Sequence, residues 1–462
     1  MFTTVLIANR GEIALCVLRT CREMGIRTVV AHSTADRDSA AVRLADEAVQ
    51  IGPAAPRRSY LNSAAIVAAA LQTGADAVHP GYGFLSESAE FAEICQAHGL
   101  TLIGPAPQVI ARLGDKVSAR RFAVEARLPV LPGGADPAGG AAEAARVAGS
   151  VGYPVVIKAS AGGGGRAMTV VHERGDFARA YAATRRDALT LFGDPRVYVE
   201  KYLDAARHVE VQILADGHGN VVHLGARDCS VQRRRQKLIE ETPPPNLPAA
   251  TVEHLGELTV RAARAAGYVG AGTFEYVLDE HGACYFIEVN CRLQVEHPIT
   301  EMVTGVDLVR EQILVAAGRR LTLRQQDIAP SGVAIECRVN AEDPARGFLP
   351  TPGLIERFVP PGGPFTRVDT HASAGTRITA DYDPLIAKVA VWAPTRVQAL
   401  ARADRALEET LLEGPGLRTG LPFLREVLAH PLFRYAKHTT CLVEQMMSTP
   451  QPGGPQPGGP WS

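Results

Sequence analysis

The chain has 462 residues, too many for one compact core, so we expect roughly two to four domains. A formal net charge of -1 with 46% hydrophobic residues is typical of a globular protein and gives no reason to expect a nucleic-acid partner. No apolar run reaches membrane-span length, and the N-terminus lacks the features of a signal peptide. The eight cysteines form no CxxC pair, so we expect neither zinc nor disulfides, and a cytoplasmic location.

Roughly the first hundred residues alternate short apolar runs with helix-like segments, an order that predicts a parallel α/β domain with ligands at the carboxyl ends of its strands. The predicted strands are residues 5–8, 28–32, 77–79 and 100–103. The predicted helices are residues 12–24, 61–72 and 89–98. A dinucleotide site is a poor interpretation, because only Gly11 stands where that fingerprint needs three glycines.

Residues 153–171, YPVVIKASAGGGGRAMTVV, have the pattern of two strands around a glycine-rich loop. The loop does not continue with Lys-Ser or Lys-Thr into a helix, as a Walker loop would. A glycine run between strands is, by itself, more often a loose hairpin. Lys158 at the end of the first strand favours a mobile lid over ATP, because an ammonium beside free backbone N–H groups suits polyphosphate.

A basic cluster, QRRRQK at residues 232–237, follows an alternating strand pattern at residues 208–212. Arginine runs are usually solvated or mark nucleic-acid patches. Here Glu240 and Glu241 follow closely and the chain as a whole is not basic. A small anion such as bicarbonate or phosphate is therefore the better interpretation.

Two further strand patterns flank the loop DEHG, residues 279–282, and predict a hairpin. With a loop of that length, Leu278 is expected to pair with Ala283, and Glu275 with Phe286.

In that register Glu275 shares a face with Glu288, its diagonal neighbour, and with Asn290. Two carboxylates and an amide oxygen suit Mg²⁺ or Mn²⁺ bound with nucleotide phosphates. A shift of one residue would destroy the arrangement, so the register tests the prediction.

The second hairpin strand opens the stretch YFIEVNCRLQVEHP, residues 285–298, in which every second residue is polar. Its later polar residues are Arg292, Gln294 and Glu296, which offer an anion-binding guanidinium, an amide and a potential base. The run exceeds the usual strand length, so its second half is predicted to leave the strand as a loop, where catalytic residues tend to lie.

A third unit is predicted beyond Gly318, with a strand at residues 332–340 that carries Glu336 and Arg338, and a helix at residues 396–411. The last residues repeat PQPGG, a composition that cannot build a core and predicts a flexible tail.

Seven segments occur together, in one order: IANRGEIA, HPGYGFLSE, KASAGGGGR, EKYL, RHVEVQ, EVNCRLQVEHP and ECRVNAEDP. In these motifs, residues 1 to about 445 resemble the biotin carboxylase component of biotin-dependent acyl-CoA carboxylases, an ATP-grasp enzyme. The resemblance implies a multidomain fold of α/β and α+β units: an N-terminal Rossmann-like parallel domain, an ATP-grasp domain with a mobile lid, and a C-terminal mixed α+β domain. The implied bounds are 1–114, 115–320 with the lid at about 131–203, 331–445, and a tail at 446–462.

The resemblance also implies roles for individual residues. It assigns ATP to Lys116, Lys158, Gly164, Gly165, Glu200, Lys201, Leu203, His208, Glu275 and Glu288. It assigns metal ions to Glu275, Glu288 and Asn290. It assigns bicarbonate to Lys237, Arg292, Gln294 and the backbone of Val295, and biotin to Tyr82 and Arg338. Glu296 is the implied base, in a catalytic set with Lys237, Arg292 and Arg338.

The implied reaction is ATP- and bicarbonate-dependent carboxylation of biotin through carboxyphosphate, with Mg²⁺ or Mn²⁺ as the metal. The chain contains no Met-Lys-Met attachment sequence, so biotin is expected on a separate biotin carboxyl carrier protein. The other implied partners are a carboxyltransferase subunit and a second copy of the chain. The acyl-CoA used downstream is not encoded here.

The chain departs from the family pattern at Arg235, where histidine is usual, at Ala161 and Ala167, where glycine is usual, and at Asp381, where tyrosine is common. Arg235 and a lid stiffened by Ala161 and Ala167 leave open a catalytically silent subunit with an assembly role. Another ATP-grasp ligase, dependent on ammonia or an amine, is a second alternative, against which the segment around Arg338 argues.

Overall fold

The computed structural model of the chain describes residues 1–134, 136–160 and 167–448. Three residues singled out above, Ala161, Gly164 and Gly165, lie outside these ranges, as does nearly all of the predicted tail. No helix in the described ranges is both long and apolar enough to cross a membrane.

The N-terminal unit is a parallel sheet of five strands in the spatial order 3-2-1-4-5. Its strands are β1 (Thr4–Ile7), β2 (Arg27–Ser33), β3 (Glu47–Gly52), β4 (Ala77–His79) and β5 (Thr101–Leu102). Its helices are α1 (Gly11–Glu23), α2 (Ala40–Leu44), α3 (Ser63–Gln72), α4 (Ala89–Ala97) and α5 (Pro107–Gly114). The predicted parallel α/β domain is confirmed, and β3 is an edge strand that the sequence analysis missed.

The next segment contains a small unit with its own core, built around a three-stranded antiparallel sheet in the order β7-β6-β8. Helix α6 (Lys116–Glu125) precedes this unit and packs with α5 in a different core. The elements of the small unit are α7 (Ala141–Val151), β6 (Val155–Ala159), β7 (Met168–Val171), α8 (Phe177–Phe192) and β8 (Val197–Lys201). The two strands predicted around the glycine run, β6 and β7, are confirmed, while residues 161–166 of the run lie outside the described ranges.

The remaining elements are a large antiparallel sheet, three separate two-stranded sheets and the helices that pack with them. The central ones are β9 (Arg207–Ala215), β10 (Val221–Arg233), β11 (Gln236–Thr242), α9 (Ala249–Ala265), β12 (Gly270–Leu278), β13 (Cys284–Asn290), α10 (His297–Thr304), α11 (Leu308–Ala316) and β14 (Val333–Asn340). The later strands are β15 (Glu342–Asp343), β16 (Leu349–Pro350), β17 (Gly353–Leu354), β18 (Arg357–Val359), β19 (Thr366–Thr370), β20 (Arg377–Ile378), β21 (Leu385–Ala393) and β22 (Leu411–Glu413). The two-stranded sheets are β15-β16, β17-β20 and β18-β22. The later helices are α12 (Arg396–Glu409), α13 (Leu421–Ala429), α14 (Pro431–Arg434) and α15 (Leu442–Ser448). Single 3₁₀ turns occur at Thr34–Asp36, Pro56–Arg58, Arg174–Asp176, Gln325–Asp327 and Pro344–Arg346.

Eight strands form one sheet in the order β13-β12-β9-β10-β11-β14-β21-β19. β14, β19 and β21 come from the predicted C-terminal unit, so the sheet continues from the ATP-grasp region into that unit through the β11–β14 pair. This continuity fixes the strand that carries Arg338 beside the strand that carries Lys237.

The predicted register of the β12–β13 hairpin is wrong by one residue near the loop, where Leu278 pairs with Cys284. The Asp279 carboxylate accepts hydrogen bonds from the N–H groups of His281 and Ala283, which draws Ala283 into the turn. A β-bulge after Glu275 then shifts the pairing again.

Because of that bulge, Glu275 lies directly opposite Glu288 instead of opposite Phe286. Directly paired residues share a face of the sheet, so the two carboxylates are closer neighbours than the predicted diagonal pair.

Candidate active site

The centre of the site is a lysine surrounded by carboxylates. Lys237 Nζ on β11 lies 2.6 Å from Glu210 Oε2, 2.6 Å from Glu296 Oε1 and 3.1 Å from Glu275 Oε1. Glu210 and Glu296 are fully buried. Three acidic groups around one ammonium leave net negative charge, so Arg227, which pairs with Glu210, supplies a second buried cation.

Glu296 stands in the loop between β13 and α10, as the sequence predicts for the second half of the 285–298 stretch. Its Oε2 accepts a hydrogen bond from Arg338 Nη2 at 2.8 Å. Burial by itself would raise the pKa of Glu296, but the charges of Lys237 and Arg338 hold that pKa well below its usual range. In this arrangement Glu296 is ionised and weakly basic.

Arg292 lies at the mouth of this cluster and organises its neighbours. Its Nε pairs with Glu87 Oε2 at 2.9 Å, Nη1 donates to Gln294 Oε1 at 3.0 Å, and Nη2 donates to Asn290 Oδ1 at 2.9 Å. A planar fork that holds three partners is preorganised to bind a small planar anion. The structure therefore brings Arg292 next to Gln294, its partner in the predicted bicarbonate set, and next to Asn290 of the predicted metal set.

The backbone at Val295 is held by a lysine on the same face of the sheet as Arg338, with which that lysine is directly paired. Lys388 Nζ, on β21, donates to the Val295 carbonyl oxygen at 2.9 Å and pairs with Glu12 Oε1 at 3.1 Å. The Tyr82 hydroxyl also donates to Glu12. Tyr82 thus contacts a buried carboxylate that supports the site, and its implied role near biotin stays a prediction.

The predicted metal residues meet at the β12–β13 pair. The pKa of Glu288 is raised by burial and by the negative charge of Glu275, and the nearby Lys116 opposes this rise. A divalent cation would relieve that repulsion, and the carboxylate oxygens are the ligands it prefers. The donor set therefore fits a hard dication.

Asn290, the third residue of the predicted metal set, points its amide nitrogen towards Glu275. Its Nδ2 donates to Glu275 Oε1 at 2.8 Å, while its oxygen accepts from Arg292. The amide would have to turn to offer that oxygen to an ion bound between the two carboxylates.

The predicted nucleotide residues lie between the small unit and the large sheet. Lys158 Nζ pairs with Glu200 Oε2 at 2.6 Å, and Arg120 Nη1 pairs with Glu200 Oε1 at 2.7 Å. Burial lowers the pKa of Lys116, partly offset by Glu288. His208 Nε2 lies 2.9 Å from Glu275 Oε2, so this predicted ATP residue contacts the predicted metal pair.

Lys201 differs from the others, because its ammonium donates to the carbonyl oxygens of Gly152 and Tyr153 at 3.1 Å each. Successive side chains of a strand point to opposite faces, so the side chain of Lys201 points away from that of Glu200. Lys201 and the half-buried Leu203 can serve a nucleotide through backbone groups and apolar contact.

Three family models match successive parts of the chain: "Biotin carboxylase, N-terminal domain" over residues 1–110, "Carbamoyl-phosphate synthase L chain, ATP binding domain" over 115–324, and "Biotin carboxylase C-terminal domain" over 336–445. A biotin carboxylase of Nostoc sp. is 49% identical over 445 residues, which cover 96% of this chain and 99% of that relative. The chain belongs to the biotin carboxylase family.

Solved structures of the family share the fold. The biotin carboxylase domain dimer of Hydrogenobacter thermophilus 2-oxoglutarate carboxylase, in complex with MgADP, ADP and bicarbonate, gives a TM-score of 0.93 at 46% identity and covers 96% of this chain and 98% of its own. A biotin carboxylase–beta-gamma-ATP complex from Campylobacter jejuni gives a TM-score of 0.94 at 44% identity and covers 96% and 99%.

Four supporting residues of the site were not predicted from the sequence: Glu210, Glu87, Glu12 and Lys388. Two of them carried a usable signal. Glu210 belongs to the alternating 208–212 pattern, on the face that also carries His208. Lys388 is a lone lysine within the apolar run LIAKVAVWA, and a fully buried lysine is rare unless paired.

Arg235, the departure nearest the site, lies in the two-residue turn between β10 and β11. Arg234 and Arg235 both have positive φ, at 46° and 68°. Hairpin turns of this kind favour Asn and Gly. Two arginines occupy those positions here, and the backbone of the turn fixes the directions in which their side chains leave it. The turn places Arg235 two residues before Lys237.

Proposed function

We propose that the chain carboxylates biotin, using ATP and bicarbonate, on a biotin carboxyl carrier protein. The observation that carries this proposal is the placement of Glu296 between Lys237 and Arg338, with the Arg292 fork next to it. One potential base is thus surrounded by three cations that can bind anionic reactants.

Glu296 is proposed to take the proton of bicarbonate, which turns a poor nucleophile into a better one. In the ligand-free arrangement its low pKa makes it a weak base. When Lys237 and Arg292 bind bicarbonate, their charges are partly neutralised by that anion, and the pKa of Glu296 rises towards the working range. Substrate binding therefore activates the base.

Lys116 and Lys158 are proposed to hold the phosphates of ATP, so that the deprotonated bicarbonate oxygen attacks the γ-phosphorus and ADP leaves. A divalent ion held by Glu275, Glu288 and Asn290 would supply charge neutralisation on the transferring phosphoryl group. The contribution of these residues is positioning and electrostatic stabilisation. Since carboxyphosphate is unstable in water, closure of the unit at residues 131–203 would protect it.

Arg338 is proposed to contact the ureido oxygen of biotin and to stabilise the negative charge that develops there while the ring nitrogen attacks CO₂. To do so it must leave at least one of its present carboxylate partners. Its pairing with Glu296 then links biotin binding to the base, because the ureido oxygen of biotin and the Glu296 carboxylate compete for the same guanidinium.

The proposed partners are the biotin carboxyl carrier protein, a carboxyltransferase and a second copy of this chain, in the cytoplasm. The downstream acceptor is proposed to be an acyl-CoA of the acetyl or propionyl type, and the similarity to a 2-oxoglutarate carboxylase domain makes a 2-oxo acid the competing choice.

The proposal is tested by ATP hydrolysis that depends on bicarbonate and is stimulated by free biotin. A silent subunit is not favoured, because every predicted acid–base and metal residue is retained, and near-full-length relatives are biotin carboxylases. An ammonia-dependent ligase would show turnover with ammonia in place of bicarbonate and biotin.

A further inference from the structure

Two buried glutamates next to the site have no role in the reaction proposed above. Glu240 on β11 pairs directly with Glu336 on β14, and neither side chain is exposed. Directly opposed residues have Cβ atoms about 5 Å apart and share a face of the sheet. The two carboxyl groups are therefore close neighbours without access to water.

Donors are missing for three of the four oxygens of this pair. Glu240 Oε1 accepts from Arg338 Nε at 2.6 Å. Glu240 Oε2 and both oxygens of Glu336 have no hydrogen-bond partner among the described residues. Buried acceptors without donors are costly, so a proton is the simplest missing component.

The surrounding charges also argue against two carboxylates. The titratable and charged groups that interact electrostatically with the pair are Cys229, Lys237, Cys337, Arg338, Lys388 and Glu296. Helix α10, which begins with His297, packs against β14 and β21 beside the pair.

The three cations in this set already have acidic partners of their own. Lys237 is shared among three carboxylates, and Lys388 is held by Glu12 and the Val295 carbonyl. Arg338 is shared with Glu296. Burial keeps His297 neutral by lowering its pKa. No cation in this set remains to neutralise a charge on Glu336.

We propose that Glu336 is held as the neutral acid, and that Glu336 and Glu240 form a one-proton carboxyl pair that positions the guanidinium of Arg338. Burial and the charge of Glu240 raise the pKa of Glu336 well above its usual value, despite the opposing effect of Lys388. The acid proton of Glu336 can be donated to Glu240 Oε2, which leaves Oε1 as an ionised acceptor for Arg338. Glu336 and Glu240 are thus positioning residues that never touch substrate.

The two glutamates have different roles in the proposed pair, so substitutions of each should have different effects. Glu336→Gln keeps a neutral side chain with a donor, so it imitates the proposed state. Glu240→Gln removes the anion that holds Arg338 Nε and frees the guanidinium to rotate towards Glu296. Glu241→Gln is the matched control, because Glu241 is the next residue of β11, is equally buried, and pairs with Arg396 instead.

The role of Arg338 in binding biotin rests on the proposed function, so the test includes one measurement that does not depend on enzyme activity. The infrared spectrum of the wild-type chain at neutral pH, minus that of Glu336→Gln, should contain the carbonyl stretch of a protonated buried carboxylic acid. An ionised carboxylate band in that difference spectrum would overturn the proposal, whether or not the chain hydrolyses ATP.

Kinetics then test the positioning. Glu240→Gln should lower kcat/KM for free biotin about ten- to hundredfold, as expected when a reacting group is slightly misplaced, and should leave KM for ATP unchanged. Glu336→Gln and Glu241→Gln should stay close to wild type. Equal losses in Glu240→Gln and Glu336→Gln, or none in Glu240→Gln, would overturn the proposal.

If Glu240→Gln does not fold, a large loss in a folded Glu336→Gln still refutes it. A wild-type chain without biotin-stimulated ATPase would count against the proposed function, and the infrared band alone would then decide the protonation of the pair.

Discussion

Arg338 and Glu296 are ion-paired across 2.8 Å, from Nη2 to Oε2, although they come from β14 and from the loop before α10. The proposed biotin-binding cation therefore contacts the proposed base before either meets a substrate. This contact links the proposed biotin site to the proposed bicarbonate site. When the guanidinium of Arg338 turns towards biotin, it releases the Glu296 carboxylate, which can then accept a proton.

The first prediction concerns the base itself. Glu296→Gln keeps the size of the side chain but removes its charge and basicity. Loss of a general base costs about 10²- to 10⁴-fold in rate, so we expect bicarbonate-dependent ATP hydrolysis to fall by that amount. Nucleotide binding, measured by calorimetry, should persist. Glu413→Gln, at an exposed surface pair with Arg357, is the control and should hydrolyse ATP normally.

The second prediction concerns the metal pair. Glu288→Gln removes one of the two opposed carboxylates while keeping its shape, so Mn²⁺ should bind the nucleotide complex at least about tenfold more weakly. Electron paramagnetic resonance of free Mn²⁺ measures this without any turnover. Glu280→Gln, in the exposed loop of the same hairpin, should bind Mn²⁺ as the wild type does. Equal affinities in all three chains would remove Glu288 from the metal site.

The third prediction concerns Lys388, the fully buried lysine that supports Val295. Lys388→Met leaves Glu12 as an unpaired buried charge, and breaking such a pair typically costs about 3–5 kcal/mol of unfolding free energy. Urea unfolding measures that loss. In the double variant with Glu12→Gln the unpaired charge is gone, so part of the stability should return. A double variant that is no more stable than Lys388→Met would contradict this pairing.

The fourth prediction is a pH dependence of stability. Burial by itself would raise the pKa of Asp369, but Lys388 and Arg367 lower it from 3.8 to about 2. A carboxyl group with a lowered folded-state pKa contributes stability that is present above about pH 4 and is lost as the pH falls towards 2.

A shift of this size corresponds to about 2 kcal/mol. The difference in unfolding free energy between wild type and Asp369→Asn should therefore shrink by about that amount as the pH falls from about 4 to about 2. Denaturant unfolding at several pH values measures it. A difference that stays constant over this range would show that Asp369 titrates normally in the folded chain.

Much of the architecture could be predicted from local patterns. Alternation of strands and helices gave the parallel N-terminal sheet, and period-two polarity marked the strand that carries Glu288 and Asn290. Local sequence patterns do not show where a β-bulge occurs, however. The pairing of Glu275 with Glu288 depends on Asp279 capping the turn and on the extra residue of β13, Ile287, at the bulge, and both are set by backbone geometry.

The supporting residues were harder to predict because their partners are distant in sequence. Glu87 lies 205 positions from Arg292, and Lys388 lies 93 positions from Val295. A single sequence shows that a lysine interrupts an apolar strand but not which carbonyl it meets. Contacts of this kind depend on how the eight-stranded sheet is assembled.

The most direct test of the account is ATP hydrolysis by the purified chain, measured with and without bicarbonate and with and without free biotin. We predict hydrolysis that requires bicarbonate, rises on addition of biotin, and is lost in Glu296→Ala. A folded wild-type chain that binds ATP but shows no response to bicarbonate and biotin would contradict the central claim.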